Sequence, residues 1–303
     1  MKKTWFITGA SRGFGRIWAE APLQRGDEVA ATARNLADVA GLKGRFGDAA
    51  LPLALDLTRT EQVQQVSQQA YGHFGRLDVV VNNDGVGLLA AAEETSDKQV
   101  RDLFDANYFG MVRVLRAAPP LLRQQGSGHI LGGSSGLGIT SMPLPGFCCA
   151  TKRAVEALQE ALAQEVRPFG IRVTLVEPAA CATDFGKSAK NADAPEPYAD
   201  FRRQLMTHLG TMDRGDLQAT PEAILKLVDA EDRRCGWGSA RPFSRGRGLR
   251  MRAHCHVGGV GGRRAGSTGR ASEETRPAVS SRDWPSRRDL TPRLTRSKRC
   301  RLA

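Results

Sequence analysis

The chain has 303 residues, of which 41% are hydrophobic and 25% charged, and a formal net charge of +12. That length suffices for one large α/β domain or two small ones with a sizeable core, and no run approaches the ~20 apolar residues of a membrane-spanning helix. The charge is lopsided: 19 of the 44 Lys+Arg but 4 of the 32 Asp+Glu lie beyond Asp232, so the tail carries +15 while the body, at −3, lacks the basic excess of a nucleic-acid-binding domain.

Thr4 to Ile7 is a short apolar run that reads as a buried strand. It breaks into a turn of small residues, Thr8-Gly9-Ala10-Ser11-Arg12-Gly13-Phe14-Gly15, and a helix pattern runs from Gly13 to Arg25. Glycines here let the backbone take positive φ and approach a ligand closely. The new helix aims its unpaired N–H groups and positive dipole end at the same spot, which suits a phosphate. Many glycine-rich turns are simply turns, but a strand before and a helix after this one point to a dinucleotide. Pro22 removes the bond to residue 18, so the helix is expected to kink or end early.

Glu28 to Thr32 is a second strand, followed by Ala33-Arg34. A carboxylate at that place would bond the ribose 2′-hydroxyl of NAD. Arg34 and Arg12 instead offer two guanidiniums to a 2′-phosphate; the alternative is a pair of solvated loop arginines. Leu51 to Asp56 is a third strand, Thr60 to Phe74 a helix, and Leu77 to Val81 a buried parallel strand ending in Asn82-Asn83-Asp84-Gly85. Val100, Leu103, Phe104, Tyr108, Met111, Val112 and Leu115 form one helical face, interrupted by polar Asn107 and expected to stop or kink at Pro119-Pro120. His129 to Ser134 is the fifth strand, with Ser135 after it. Cys148 to Val166 is a helix that puts Lys152 one turn after Cys148 on the same face, and Arg172 to Val176 is the sixth strand. Residues 184–216 are polar and read as a mobile substrate lid, before a capped helix from Thr220 to about Ala230.

The T-G-x-x-x-G-x-G spacing of residues 8–15 resembles the nucleotide turn of the short-chain dehydrogenase/reductase family, and the likeness runs from Lys3 to about Asp232. It implies a doubly wound, Rossmann-like α/β fold in one domain, residues 1–232, with NADP(H) as cofactor. By resemblance Gly9, Ser11, Arg12, Gly13, Phe14 and Gly15 hold the nucleotide, together with Arg34, Asn82 and Lys152. Asp56 takes the place of an aspartate beside the adenine, or is a turn or helix-capping residue. Thr183, five after Pro178, matches a threonine that bonds the nicotinamide amide. Asp84 fills a slot where the family has alanine and sets a carboxylate near the nucleotide phosphates. Asn107 matches an asparagine that bends its helix and holds a water of the proton relay; by itself it reads as a helix-surface residue. Ser135 matches the serine that bonds the substrate oxygen, and Lys152 the lysine that lowers the catalytic tyrosine pKa. The tyrosine position is Cys148.

A thiol has a pKa of about 8.5, which Lys152 is expected to lower, so acidity is not the obstacle. Reach is: a cysteine sulfur lies roughly 3 Å from its Cα and a tyrosine oxygen roughly 6.5 Å. Loss of a positioned acid costs about 10² to 10⁴ in rate. Three functions stay open: an impaired NADP(H)-dependent oxidoreductase for a small carbonyl or alcohol compound, a non-catalytic NADP(H)-binding protein, or a decayed gene product. The six cysteines show no C-x-x-C and no zinc spacing, so no metal is expected. With no signal sequence evident, the cytoplasm is the default. The oligomeric state is not readable from the sequence, though in folds of the resembled family two long apolar-faced helices commonly pair with a second copy, which makes a homo-oligomer one expectation.

Residues 233–303 hold 18 arginines and one lysine, have no apolar period, and offer no run suited to a seventh strand. A disordered tail is expected, and with almost no interleaved aromatics nucleic-acid binding is the weaker reading. The composition is that of a GC-rich gene read out of frame. A neighbouring frame of the coding DNA should therefore encode an apolar strand and then a helix; sequencing that finds neither removes the frameshift explanation.

Overall fold

A computed structural model describes residues 2–178, 190–191, 196–211, 215–230 and 251–255 of the chain. Six parallel strands form the sheet: β1 (Thr4–Ile7), β2 (Glu28–Ala33), β3 (Ala50–Ala54), β4 (Val79–Asn82), β6 (Gly128–Gly133) and β7 (Ile171–Pro178), in the order β3-β2-β1-β4-β6-β7. A two-residue strand, β5 (Leu88–Leu89), lies apart and pairs with β8 (Lys190–Asn191). This is the doubly wound α/β sheet expected from the sequence.

Because both faces of the sheet are covered, its strands are apolar throughout rather than alternating. Side-chain direction alternates along each strand and sorts them into two cores. Phe6, Val80, Ile130 and Val173 point to one side, under α3 (Thr60–Phe74), α5 (Gly110–Gln125) and α7 (Gly146–Val166). Trp5, Ile7, Val79, Val81 and Leu131 point to the other, under α1 (Gly13–Arg25), α2 (Ala37–Phe46) and α9 (Thr220–Asp229). The N- and C-terminal parts of the body are stitched together on this second side. The Trp18 indole donates to Thr220 Oγ1 at 2.8 Å, and Asp229 pairs with both Lys3 and Arg25 at 2.6 Å.

Several expectations are corrected. Pro22 does not end α1 early: the helix runs on to Arg25 with Pro22 and Leu23 buried, so packing of this turn outweighs the bond that the missing N–H would have made to residue 18. The helix closes at Gly26, φ +96°, with Gly26 N donating to Leu23 O and Asp27 N to Pro22 O. Pro119 and Pro120 likewise do not stop α5, which continues to Gln125 with Pro119 buried. In the stretch read as a lid, Glu196–Thr211 is a helix, α8. Its less exposed positions, Tyr198, Ala199, Phe201, Arg202, Leu205, His208 and Leu209, recur every three or four residues, a stripe that the surrounding polar residues hide. Residues 184–189, 192–195 and 212–214 lie outside the described ones.

Beyond Asp232 a seventh strand does exist. β9 (Met251–Cys255) pairs antiparallel with β7, Pro178 opposite Met251 and Thr174 opposite Cys255. An edge strand is joined through its backbone, and a run without apolar period fulfils that need. The rest of the expected disordered tail lies outside the described residues.

The strand that leads to the glycine turn is fixed at its base by Asp27, which accepts from the Trp5 indole at 2.9 Å and from Lys3 N at 3.1 Å. Asp27→Ala leaves a fully buried indole N–H unpaired, and should lower unfolding free energy by about 1–3 kcal/mol. Urea denaturation followed by tryptophan fluorescence measures this; an unchanged midpoint means that β1 is anchored otherwise.

Candidate active site

The chemistry-bearing residues gather at the C-terminal ends of β1, β2, β4 and β6, where an open α/β sheet leaves a crevice. The glycine turn is pinned to the neighbouring strands: Thr8 N donates to Val81 O at 3.0 Å and Ala10 N to Thr32 O at 2.8 Å. Gly9 and Gly13 take φ of +66° and +58°, which side-chain-bearing residues rarely adopt. A Cβ on Gly15 would stand 2.2 Å from Gly9 O, so α1 packs directly on the turn. Next to Gly13 the space is open. Arg12, the residue before the helix, gives α1 no side-chain cap, so the first-turn N–H groups face the crevice without one. A turn of this shape fits a phosphate.

Ser11 and Phe14 are half-buried in the turn, Phe14 with its ring 5.0 Å from that of Trp18, and Arg12 and Arg34 are exposed at its rim. Two residues that the sequence reading passed over hold the turn in place. Asn83 Nδ2 donates to Thr8 O at 3.1 Å and to Gly9 O at 3.3 Å, while Asn83 N donates to Thr8 Oγ1 at 3.0 Å. Both belong to motifs read from the sequence, yet nothing in spacing separates Asn83 from its neighbour. Asn82 is buried and donates to Met111 O at 3.2 Å, tying β4 to α5. Asp56 Oδ1 accepts from Thr58 N at 2.9 Å and Thr58 Oγ1 at 2.8 Å, the geometry of a turn residue. Partial burial raises its carboxyl, but the Thr58 bonds with Arg59 and Arg34 nearby outweigh that and bring it below the usual value. Thr183 lies outside the described residues.

A second group converges on Gly85. A Cβ there would stand 3.7 Å from Lys152 Nζ and 3.8 Å from Asn107 Oδ1. Lys152 Nζ donates to Gly133 O at 2.8 Å, and burial pushes its pKa down to about 8. Asn107 sits in a π-helical turn, Asp105–Phe109, between α4 (Asp97–Phe104) and α5. Its amide grips one residue from both sides: Val86 N donates to Oδ1 at 2.8 Å and Nδ2 donates to Val86 O at 2.9 Å. Ser135 begins the short α6 (Gly136–Ile139), its Oγ accepting from Leu137 N at 3.2 Å.

Cys148, 2% exposed, is turned to the strand β5. Leu88 N donates to its sulfur at 3.3 Å and the thiol donates to Leu88 O at 3.4 Å. Burial pushes the thiol pKa up, further than the Leu88 bond and Lys152 draw it down. The expectation that Lys152 would acidify Cys148 is therefore corrected: desolvation of a buried thiolate wins. The next strand residue is held by α8, whose Arg202 donates to Leu89 O at 3.0 Å and pairs with buried Glu94 at 2.5 Å.

Among the described residues no helix is long and apolar enough to cross a membrane, and no three His, Cys, Asp or Glu side chains are placed to hold a metal. The family model described as short chain dehydrogenase matches residues 3–194. The chain is 42% identical over 200 residues to "Oxidoreductase BOA17" of Botryotinia fuckeliana, covering 65% of this chain and 73% of that one. A short-chain dehydrogenase from Streptomyces avermitilis superposes with a TM-score of 0.70 at 40% identity, over 76% of this chain and 85% of that chain. An alcohol dehydrogenase from Thermococcus sibiricus, complexed with 5-hydroxy-NADP, gives 0.63 at 27% identity, over 76% and 92%.

A buried thiol with a raised pKa resists alkylation. Iodoacetamide at pH 8 should label Cys148 at least roughly tenfold more slowly in the native protein than in guanidinium chloride, read by peptide mass spectrometry. Equal rates would place the sulfur in solvent rather than against Leu88.

Proposed function

Because this chain belongs to the short chain dehydrogenase family, we propose that it is an oxidoreductase that takes NADP(H) at the glycine turn and a carbonyl or alcohol compound beside it, with turnover held low by Cys148. One observation carries the cofactor part. The turn combines two left-handed glycines, a helix start without a side-chain cap, and two exposed arginines at the rim. Arg34 follows β2, where a carboxylate would favour NAD; a guanidinium there suits the 2′-phosphate of NADP(H).

Bound there, NADP(H) supplies or accepts the hydride. The roles proposed for the chain's own residues are those that the family resemblance implies. Gly9, Ser11, Arg12, Gly13, Phe14 and Gly15 hold the pyrophosphate, with Arg34 at the 2′-phosphate, Asp56 beside the adenine and Asn82 keeping β4 in register. Lys152 holds the ribose, Thr183 the nicotinamide amide, and Asn107 shapes the floor of the site. Ser135 bonds the substrate oxygen, after releasing Leu137 N. The alkoxide that develops on reduction then needs a proton, and the residue at the donor position is Cys148. Its sulfur is short, faces Leu88 and is hard to ionise, so water must deliver the proton with little help. The same observation favours a second reading, a protein that binds NADP(H) and does not turn it over. Localisation in the cytoplasm and pairing with a second copy belong to the same proposal.

Calorimetry on the full chain should find NADPH bound about tenfold or more tightly than NADH, and no heat with either would end the dinucleotide reading. NADPH oxidation with a reactive aldehyde should be slow or nil. Cys148→Tyr should raise it by about 10² to 10⁴, at an overpacking cost of about 1–3 kcal/mol beside Leu88. A variant that is folded by circular dichroism, binds NADPH and gains no rate would remove position 148 from the chemistry.

A further inference from the structure

Asp84 sets an inward-turned carboxyl against the anionic ligand proposed for the crevice, and it stands where the resembled family has alanine. Its backbone follows Asn83, which is bolted to the turn, and its side chain is turned inward. A Cβ on Gly9 would lie 2.9 Å from Asp84 Oδ1 and 3.0 Å from its Cγ. The carboxyl therefore rests on the first glycine of the turn. Thr8 of the β1 end hydrogen-bonds to it, and Arg34 after β2 and Lys152 of α7 face it as positive charges. Asp56 after β3 faces it as a negative one. Asn83 Nδ2 also lies at the Gly9 position, 3.1 Å from the same point, already committed to two backbone carbonyls.

We propose that Asp84 couples dinucleotide binding to the uptake of one proton, its carboxyl neutral while the pyrophosphate lies along the turn and ionised when the site empties. This rests on the dinucleotide reading of the glycine turn. A diphosphate bound on the turn would repel an ionised Asp84 across this half-buried crevice and would compete with it for Arg34 and Lys152. Protonation removes the carboxylate's own charge from the contact. The proton comes from solvent and stays on the carboxyl oxygen; no bond of the ligand is made or broken. Burial already pushes Asp84 up to about 6, so at pH 7 the empty protein carries mostly carboxylate, and a further displacement of about two units by the ligand would make it mostly neutral. The sign follows: affinity is highest below about pH 6, where the carboxyl is neutral before the ligand arrives. It falls as pH rises, and levels off once the pH exceeds the value in the complex.

The test is calorimetry of the full chain and its Asp84→Asn and Asp84→Ala variants, with NADH and NADPH, at several pH values and in two buffers of different ionisation heat. The 2′-phosphate of NADPH titrates near pH ~6 itself, so the comparison that counts is wild type against variant with the same ligand. For wild type, Kd should rise by up to about tenfold per pH unit above pH 6, and the observed heat should depend on the buffer, reporting proton uptake approaching one. Asp84→Asn, which keeps the shape and loses the proton site, should bind more tightly than wild type at pH 8 and lose that dependence. Asp84→Ala serves as the second measurement should the asparagine variant fail to fold. Binding by all proteins with identical pH profiles and buffer dependence overturns the coupling and leaves the dinucleotide reading intact. No binding by any of them, each folded by circular dichroism, overturns both.

Discussion

The contact between Gly15 and the carbonyl of Gly9 governs the nucleotide end of this molecule. A helix that starts one residue too far from the strand aims its N–H groups past a phosphate; one that carries a side chain at this point cannot come near. Gly15 admits the approach, left-handed Gly9 and Gly13 bend the chain sharply enough to make it, and Asn83 holds the carbonyls of Thr8 and Gly9 from the far side. Everything proposed for the crevice presupposes that α1 points at it. The base of the same strand is secured separately by Asp27, so the turn is fixed at both ends of β1.

A second assembly is built around the short segment that follows β4. Asn107 grips Val86, Cys148 grips Leu88, and Arg202 reaches Leu89 from the helix α8. Three elements far apart in sequence thus define the position of four consecutive residues. Backbone groups of such an irregular segment would otherwise be buried without partners. The thiol at 148 has accordingly become part of the scaffold of the cleft. Its structural duty is the pair of bonds to Leu88, whereas its fitness as an acid is opposed by both length and burial.

Much of this was legible in the sequence because it rests on local rules. Apolar runs gave the six parallel strands, and the glycine spacing with its flanking strand and helix gave the turn. Prolines misled, since the bond each one removes can be outweighed by burial: Pro22 and Pro119 are both buried in helices that run on past them. The α8 stripe was hidden by a polar composition that sets mean hydropathy but not phase. Thr8 and Asn83 could not be ranked from spacing, because their importance comes from meeting each other across the sheet. The direction of the Cys148 shift was unreadable for a related reason: a nearby lysine is apparent from helix periodicity, but the burial that outweighs it is a property of the folded chain.

The ties from Trp18 to Thr220 and from Lys3 and Arg25 to Asp229 span some two hundred residues. During synthesis the first helix must therefore wait on the ribosome, its indole unpartnered, until α9 has emerged. The last residue it waits for stands three positions ahead of the change in composition at Asp232. This long-range closure therefore has all its parts before any of the arginine-rich tail is made.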